Sequence, residues 1–218
     1  MAMKKEKVNE ILDLLEKEYP DAECALDYDS VFHLLLAVVL SAQTTDVSVN
    51  KVTPELFKKY ETPKQLAQAD EKEVAEIIRT IGMYRTKSKN IINLAKMLVE
   101  KYDGIVPESD EELVKLPGVG RKTANVVMAV GFGHQRIAVD THVFRVSNRI
   151  GIVNEPDVLK TELALMKTIP ENRWTKTHHS LIFHGRRCCT ARNPKCDECV
   201  IKDLCKRNSN RKQTKGEV

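Results

Sequence analysis

Leu116-Pro117-Gly118-Val119-Gly120-Arg121-Lys122-Thr123-Ala124-Asn125 is the stretch from which the fold can be read. It lies between a helical pattern at Glu111 to Lys115 and another running to about Val130, so it reads as a glycine hairpin between two helices. Gly118 and Gly120 permit positive φ and a close backbone approach. The second helix would aim its unpaired N–H groups outward from the turn, where a phosphate would suit them. Such a contact fixes position without reading base sequence. From the glycines alone, a plain tight turn between helices is the other reading.

Outward from the hairpin the chain is helical in pattern nearly throughout. Val8, Ile11, Leu12 and Leu15 form one stripe before Pro20; Val47, Val52, Leu56 and Phe57 lie on another helical segment; Leu94, Met97 and Leu98 mark a third that stops near Gly104. Thr62-Pro63 offers an N-cap followed by proline at the first helical position, and Asp70, Asp110, Asp140 and Asn172 each precede helical patterns. Arg136 to Val139 is a short apolar stretch, and nothing alternates long enough to propose a sheet. The fold class read from the pattern is all-α.

The 218 residues, 42% hydrophobic and 30% charged, suit a globular protein of one large domain or two small ones. The longest apolar run, Val31 to Ala42, is too short to span a bilayer and reads as a buried core helix. The N-terminal Met-Ala-Met-Lys-Lys-Glu-Lys has no apolar signal core, which makes the cytoplasm the expected compartment. The formal charge of +4 is concentrated in the tail: Lys206 to Val218 carries five Lys or Arg and one Glu, so the other 205 residues sum to zero. A nucleic-acid surface would therefore have to arise from one-sided placement of charge.

Cys189, Cys196, Cys199 and Cys205 follow the pattern Cys-x6-Cys-x2-Cys-x5-Cys, four soft ligands within 17 residues. That density reads as a tetrahedral zinc or an iron–sulfur cluster, and the spacing alone leaves both open. Arg186, Arg187, Arg192, Lys195, Lys202, Lys206 and Arg207 surround them against Asp197, Glu198 and Asp203, so the loop is locally basic. Cys188 and Cys24 fall outside the ligand pattern and read as structural or free thiols. His142, His178, His179 and His184 lack a helix-spaced carboxylate partner set, so capping or core roles lead for them.

Taken together, the hairpin, Val139-Asp140-Thr141-His142 eighteen residues after the lysine, Leu40-Ser41-Ala42-Gln43 and the four-cysteine tail resemble the endonuclease III family of helix-hairpin-helix DNA glycosylases. The resemblance spans about residues 8 to 207, with the motifs in the family's order. It implies two helical lobes with a DNA-facing cleft: residues 22–133 with the hairpin, and residues 1–21 with 134–218 carrying the cluster. It implies a [4Fe-4S] cluster on the four cysteines. It further implies a monomeric base excision repair enzyme, nucleoid-associated, that acts on double-stranded DNA containing damaged pyrimidines or abasic sites.

Lys122 stands near a helix start, where the dipole and the expected partial burial would favour the free amine needed for attack. By the resemblance it displaces a damaged base at the sugar C1′, forms a Schiff base and cleaves the strand by β-elimination. Asp140 would face Lys122 across the cleft and accept a proton or stabilise positive charge on the sugar; its residue type also suits a helix cap. Gln43 and Met83 match the family's wedge positions, which fill the gap left by a flipped nucleotide, and Met83 replaces the usual leucine. Gly118, Val119, Gly120 and Arg121 of the hairpin and Arg192 and Lys195 of the cluster loop are the expected backbone contacts. Asn193 occupies a place often taken by lysine.

Two other readings compete. The related adenine glycosylase usually has a catalytic Glu where this chain has Val38, a small polar residue where it has Lys122, and a further C-terminal domain for which no length remains. A non-catalytic DNA-binding module would explain the glycines and cysteines but not Lys122, Asp140 and Gln43 together.

Overall fold

A computed structural model describes residues 3–209, and among these the regular structure is helical with no strand. In chain order the helices are α1 (Lys5–Glu18), α2 (Val31–Leu40), α3 (Asp46–Asn50), α4 (Thr53–Lys59), α5 (Pro63–Ala67) and α6 (Glu71–Ile77). They continue with α7 (Tyr84–Tyr102), α8 (Asp110–Leu113), α9 (Arg121–Phe132), α10 (Thr141–Ile150), α11 (Val158–Thr168) and α12 (Trp174–Arg187), the last preceded by a 3-10 turn at Glu171–Arg173. The chain divides into two compact units, one Ala25–His134 and the other Met1–Cys24 with Gln135–Val218. Beyond Ser209 the basic tail lies outside the described residues.

In the unit Ala25–His134, α2 is apolar all round and is buried from Phe32 to Leu40, as an uninterrupted apolar run requires. It starts cleanly because the Ser30 hydroxyl accepts the His33 N–H at 3.1 Å. The one ring with polar atoms in this run, His33, is satisfied from three sides: Asp29 at Nδ1, the Tyr60 carbonyl 3.3 Å from Nε2, and the Phe57 ring stacked at 4.0 Å. Around α2 pack α9 and α7, and α5 lies along α7. Thr62 forms the expected cap as a full capping box with Gln65.

Several local expectations are corrected here. Val47 does not share a helix with Val52, Leu56 and Phe57; it is exposed on α3, because Pro54 restarts the chain as α4. Asp110 is the first residue of α8, and the cap is Ser109, whose hydroxyl accepts the Glu112 N–H.

The other unit buries the α1 stripe Val8, Ile11, Leu12 and Leu15 in a core with Val143, Val146, Ile150, Leu165 and Leu181. Arg173 fastens the 3-10 turn to α1 by hydrogen bonds to Glu16 at 3.0 and 2.8 Å and an ion pair to Asp13 at 2.8 Å. Asn172 lies inside that turn and does not cap α12, which follows Arg173 without a side-chain cap. No helix among the described residues is long and apolar enough to cross a membrane.

Burial pushes His179 on α12 down to about 4, with Lys176 opposing its protonation further. The unfolded chain binds this proton near pH 6.5, so the contribution is fully present above that pH and is lost as pH falls to 4. The complete loss amounts to roughly 3 kcal/mol. Urea midpoints of the wild type should therefore fall more steeply between pH 6.5 and 4 than those of His179→Gln, and equal slopes would show that His179 is not held neutral.

Candidate functional site

The hairpin is set by two short bonds and one close approach. Leu116 N–H donates to the Leu113 carbonyl at 3.1 Å, and Val119 N–H returns to Leu116 at 3.0 Å, with Leu116 and Val119 buried. Gly118 has φ 79°, and a Cβ there would meet Val39 Cγ1 at 3.1 Å, Asn90 Nδ2 at 3.2 Å and Asn90 Cβ at 3.3 Å. The turn is thus seated against α2 and α7. Gly120 caps α9 with no side chain at φ −100°, and a Cβ there would meet nothing within 4 Å. Glycine at this cap leaves the approach to the first turn of α9 open, since the cap residue itself offers those N–H groups no side-chain acceptor. Val119 is an anchor: its side chain is buried and its N–H is already donated.

Lys122 is the second residue of α9 and its side chain is exposed. The expected partial burial of this amine is not found; its setting at the positive end of the helix is. Asp140 caps α10, its Oδ1 accepting His142 N–H at 2.8 Å and Val143 N–H at 2.7 Å. Both bonds use the same oxygen. Oδ2 is therefore left for other work, and the capping and catalytic readings of Asp140 are compatible.

Gln43 and Met83 both stand in the left-handed region, with φ of 54° and 59°. Asp103 is the other non-glycine residue described there. Such backbones persist only where the surroundings hold them. The two loops are neighbours: a Cβ at Gly82 would lie 3.8 Å from both the Gln43 carbonyl and Thr44 Oγ1. Lys87, buried on α7, donates its Nζ to Thr44 Oγ1 at 2.7 Å and its backbone N–H to the Met83 carbonyl at 3.0 Å, so one residue fastens both loops. Burial lowers the Lys87 ammonium pKa. Met83 itself is well exposed. Lys87 escaped sequence reading because a lysine between Arg85 and Lys89 looks like a solvated helix face.

In the other unit, Cys189, Cys196, Cys199 and Cys205 line one pocket, with Cys188, His184 and Arg149 among its walls. All six cysteines are free of disulfides. Tetrahedral zinc with thiolates at ≈ 2.3 Å would bring the sulfurs to about 3.8 Å of one another. Among the described residues the grouping of three or more ligand atoms within 4.8 Å is His184, Cys188 and Cys199, so the four motif cysteines stand wider than zinc needs. Their spread around a shared space fits a multi-iron cluster, a choice that spacing had left open. Burial pushes the metal-free Cys199 thiol up to about 12 and raises Cys205, so iron must displace protons as it binds.

Two arginines on α10 shape the loop that carries these thiols. Arg149 donates to the Thr190 and Ala191 carbonyls at 2.7 Å each, and Arg145 to the Gly185 carbonyl at 2.9 Å and the Cys189 carbonyl at 3.2 Å. Arg149 Nη1 also reaches Cys189 Sγ at 3.9 Å. Neither arginine was singled out from the sequence; the only signal is their four-residue spacing on one helix face. Of the basic residues expected to line the loop, Arg187 is engaged by Asp21 and lies over the Phe183 ring, whereas Arg192 and Lys195 are exposed.

Comparison with known proteins finds matches over most of the chain. Residues 36–171 match the model of the HhH-GPD superfamily of base excision DNA repair proteins, and residues 189–205 that of the iron–sulfur binding domain of endonuclease III. Endonuclease III of Bacillus subtilis (strain 168) is 50% identical over 208 residues, 95% of this chain and 94% of its own length. That of Escherichia coli (strain K12) is 46% identical over 203 residues, 93% and 96%. A solved endonuclease III trapped as a covalent intermediate with DNA matches with TM-score 0.91 and 49% identity, covering 96% of this chain and 99% of that one. A non-covalent endonuclease III–DNA complex matches with the same TM-score and 48% identity, over 97% and 99%.

The two hairpin glycines should respond differently to alanine. Gly118→Ala combines a left-handed backbone with contacts to Val39 and Asn90, and should cost roughly 2–4 kcal/mol. Gly120→Ala, with open space around it, should cost under about 1 kcal/mol. Urea denaturation of the two variants measures the difference, and equal losses would contradict the close approach at Gly118.

Proposed function

The chain belongs to the endonuclease III family of HhH-GPD base excision DNA repair proteins, and on that premise we propose that it removes oxidised pyrimidines from duplex DNA and cleaves the abasic strand through Lys122. The observation that carries the assignment of Lys122 is its exposure at the start of α9, directly after a hairpin whose cap has no side chain. The hairpin's glycines would let a phosphate approach the α9 N-terminus while Lys122 reaches for the adjoining sugar.

The amine attacks C1′, the bond from C1′ to the base nitrogen breaks, and the departing base takes up a proton. Ring opening gives the Schiff base. Loss of a C2′ proton then expels the 3′ phosphate, and water releases the lysine. Asp140 Oδ2 would take a proton from the ammonium before attack or offset positive charge on the sugar, while Oδ1 keeps α10 capped. Gln43 would pair with the base left behind, and Met83 would enter the stack beside it. The two left-handed residues are presented ready-made because Lys87 holds both loops, which spares the ordering cost on binding. Gly118, Gly120 and Arg121 would serve the backbone at the hairpin with Val119 as its anchor, and Arg192 and Lys195 at the cysteine loop.

The [4Fe-4S] cluster, with its irons held by Cys189, Cys196, Cys199 and Cys205, supplies a cross-link that keeps this basic loop in shape. Chromosomal DNA in the cytoplasm is the working partner, met by a monomer.

Incision of duplexes carrying a damaged pyrimidine tests this reading. Wild-type enzyme should incise them and be captured covalently on them by borohydride, whereas Lys122→Ala should give no adduct and lose strand cleavage by at least about 10³-fold. Asp140→Asn keeps a cap acceptor, so it should fold normally yet slow base removal by about 10²-fold or more. A persistent adduct in Lys122→Ala, or full activity in Asp140→Asn, would contradict the assigned roles. Excision of mispaired adenine with no action on damaged pyrimidines would transfer the chain to the adenine-specific reading.

A further inference from the structure

Five cysteines line the cluster pocket, and the fifth is Cys188. Spacing had set it aside as a neighbour of Cys189, but its sulfur falls with Cys199 Sγ and a His184 ring nitrogen in a set of three ligand atoms all within 4.8 Å of one another. The Cys188 backbone is fixed on both sides. Its N–H donates to the His184 carbonyl at 3.0 Å, and its own carbonyl accepts Thr190 N–H and Lys195 N–H at 3.0 Å each. The thiol is half-buried and is thus held over the same space as Cys199.

We propose that Cys188 is a reserve thiolate for the iron–sulfur cluster, placed to bind the iron that Cys199 serves when the Cys199 sulfur is absent. A metal–thiolate bond spans only ≈ 2.3 Å, so an iron beside Cys199 comes within reach of the Cys188 sulfur by side-chain rotation, the backbone staying where it is. In the exchange the Cys188 thiol gives its proton to water and the thiolate lone pair binds iron; no electron is transferred. His184 is the rival ligand in this set and is otherwise committed. Its Nδ1 lies 3.0 Å from the Tyr19 hydroxyl. Its Nε2 lies 3.7 Å from Cys199 Sγ, so both ring nitrogens already have partners. No comparable third ligand atom stands within that distance of Cys196 or Cys205 among the described residues.

The proposal rests on the cluster assignment, and iron and acid-labile sulfide per chain, with the visible absorption of thiolate-bound iron, read both. Proteins purified without oxygen are compared: wild type, Cys199→Ala, Cys188→Ala/Cys199→Ala, Cys196→Ala and Cys205→Ala. Cys199→Ala should keep most of the wild-type iron and sulfide, and the double variant, Cys196→Ala and Cys205→Ala should lose nearly all of it. Cys199→Ala as iron-poor as the double variant would overturn the proposal, and so would a double variant that keeps its iron, since His184 would then be the reserve. Wild-type protein without iron or sulfide would instead overturn the cluster assignment itself. Where Cys199→Ala does not fold, the pair Cys199→Ser and Cys188→Ala/Cys199→Ser is read by X-ray absorption. Removing Cys188 should then lower the sulfur ligands per iron, and an unchanged count would overturn the proposal.

Discussion

The unit Ala25–His134 depends on one missing atom. Without a Cβ at Gly118, the hairpin backbone settles onto Val39 of α2 and Asn90 of α7. That single seat links three chain segments whose ends carry the residues assigned to DNA: α2 runs out to Gln43, α7 begins after Met83, and α9 begins with Arg121 and Lys122. The rigidity of the seat comes from below, since α2 is buried over its length and cannot shift without opening the core. A reactive lysine on a mobile loop would sample many orientations. On the first turn of a helix packed against that core its backbone at least is held in place, and orientation is a large share of what an active site contributes.

The second unit solves a different problem with polar bonds. A stretch of 17 residues bearing four thiols has little apolar substance, so it cannot fold on its own burial. Arg145 and Arg149 reach from α10 to four of its carbonyls or those beside it, and on the proposed assignment the sulfurs would supply the rest by holding iron. The same helix begins at Asp140. One element therefore carries the carboxylate at its N-terminus and the arginine clamp along its face.

Much of this was legible in the sequence, for reasons that can be named. The α2 run, the α1 stripe and the Thr62 capping box follow from local periodicity and cap chemistry, and the four cysteines from their density. What stayed hidden was decided by tertiary contact. Lys87 differs from its solvated neighbours only in being turned inward to Thr44. Arg149 is chosen for the loop carbonyls by α10's placement, which no local pattern encodes. Cys188 lies outside the spacing rule and inside the pocket. Errors at Val47, Asp110 and Asn172 have one origin: helix starts are shifted by neighbouring Ser, Pro and Arg residues, and boundaries respond to such competition more than helix existence does.

The central claim is that the amine at the start of α9 is the atom that bonds to DNA. Peptide mass mapping of the borohydride-reduced wild-type adduct locates that bond directly. The account predicts a deoxyribose remnant on the peptide containing Lys122 and on no other lysine, Lys87 included. A remnant carried by any other residue would contradict it.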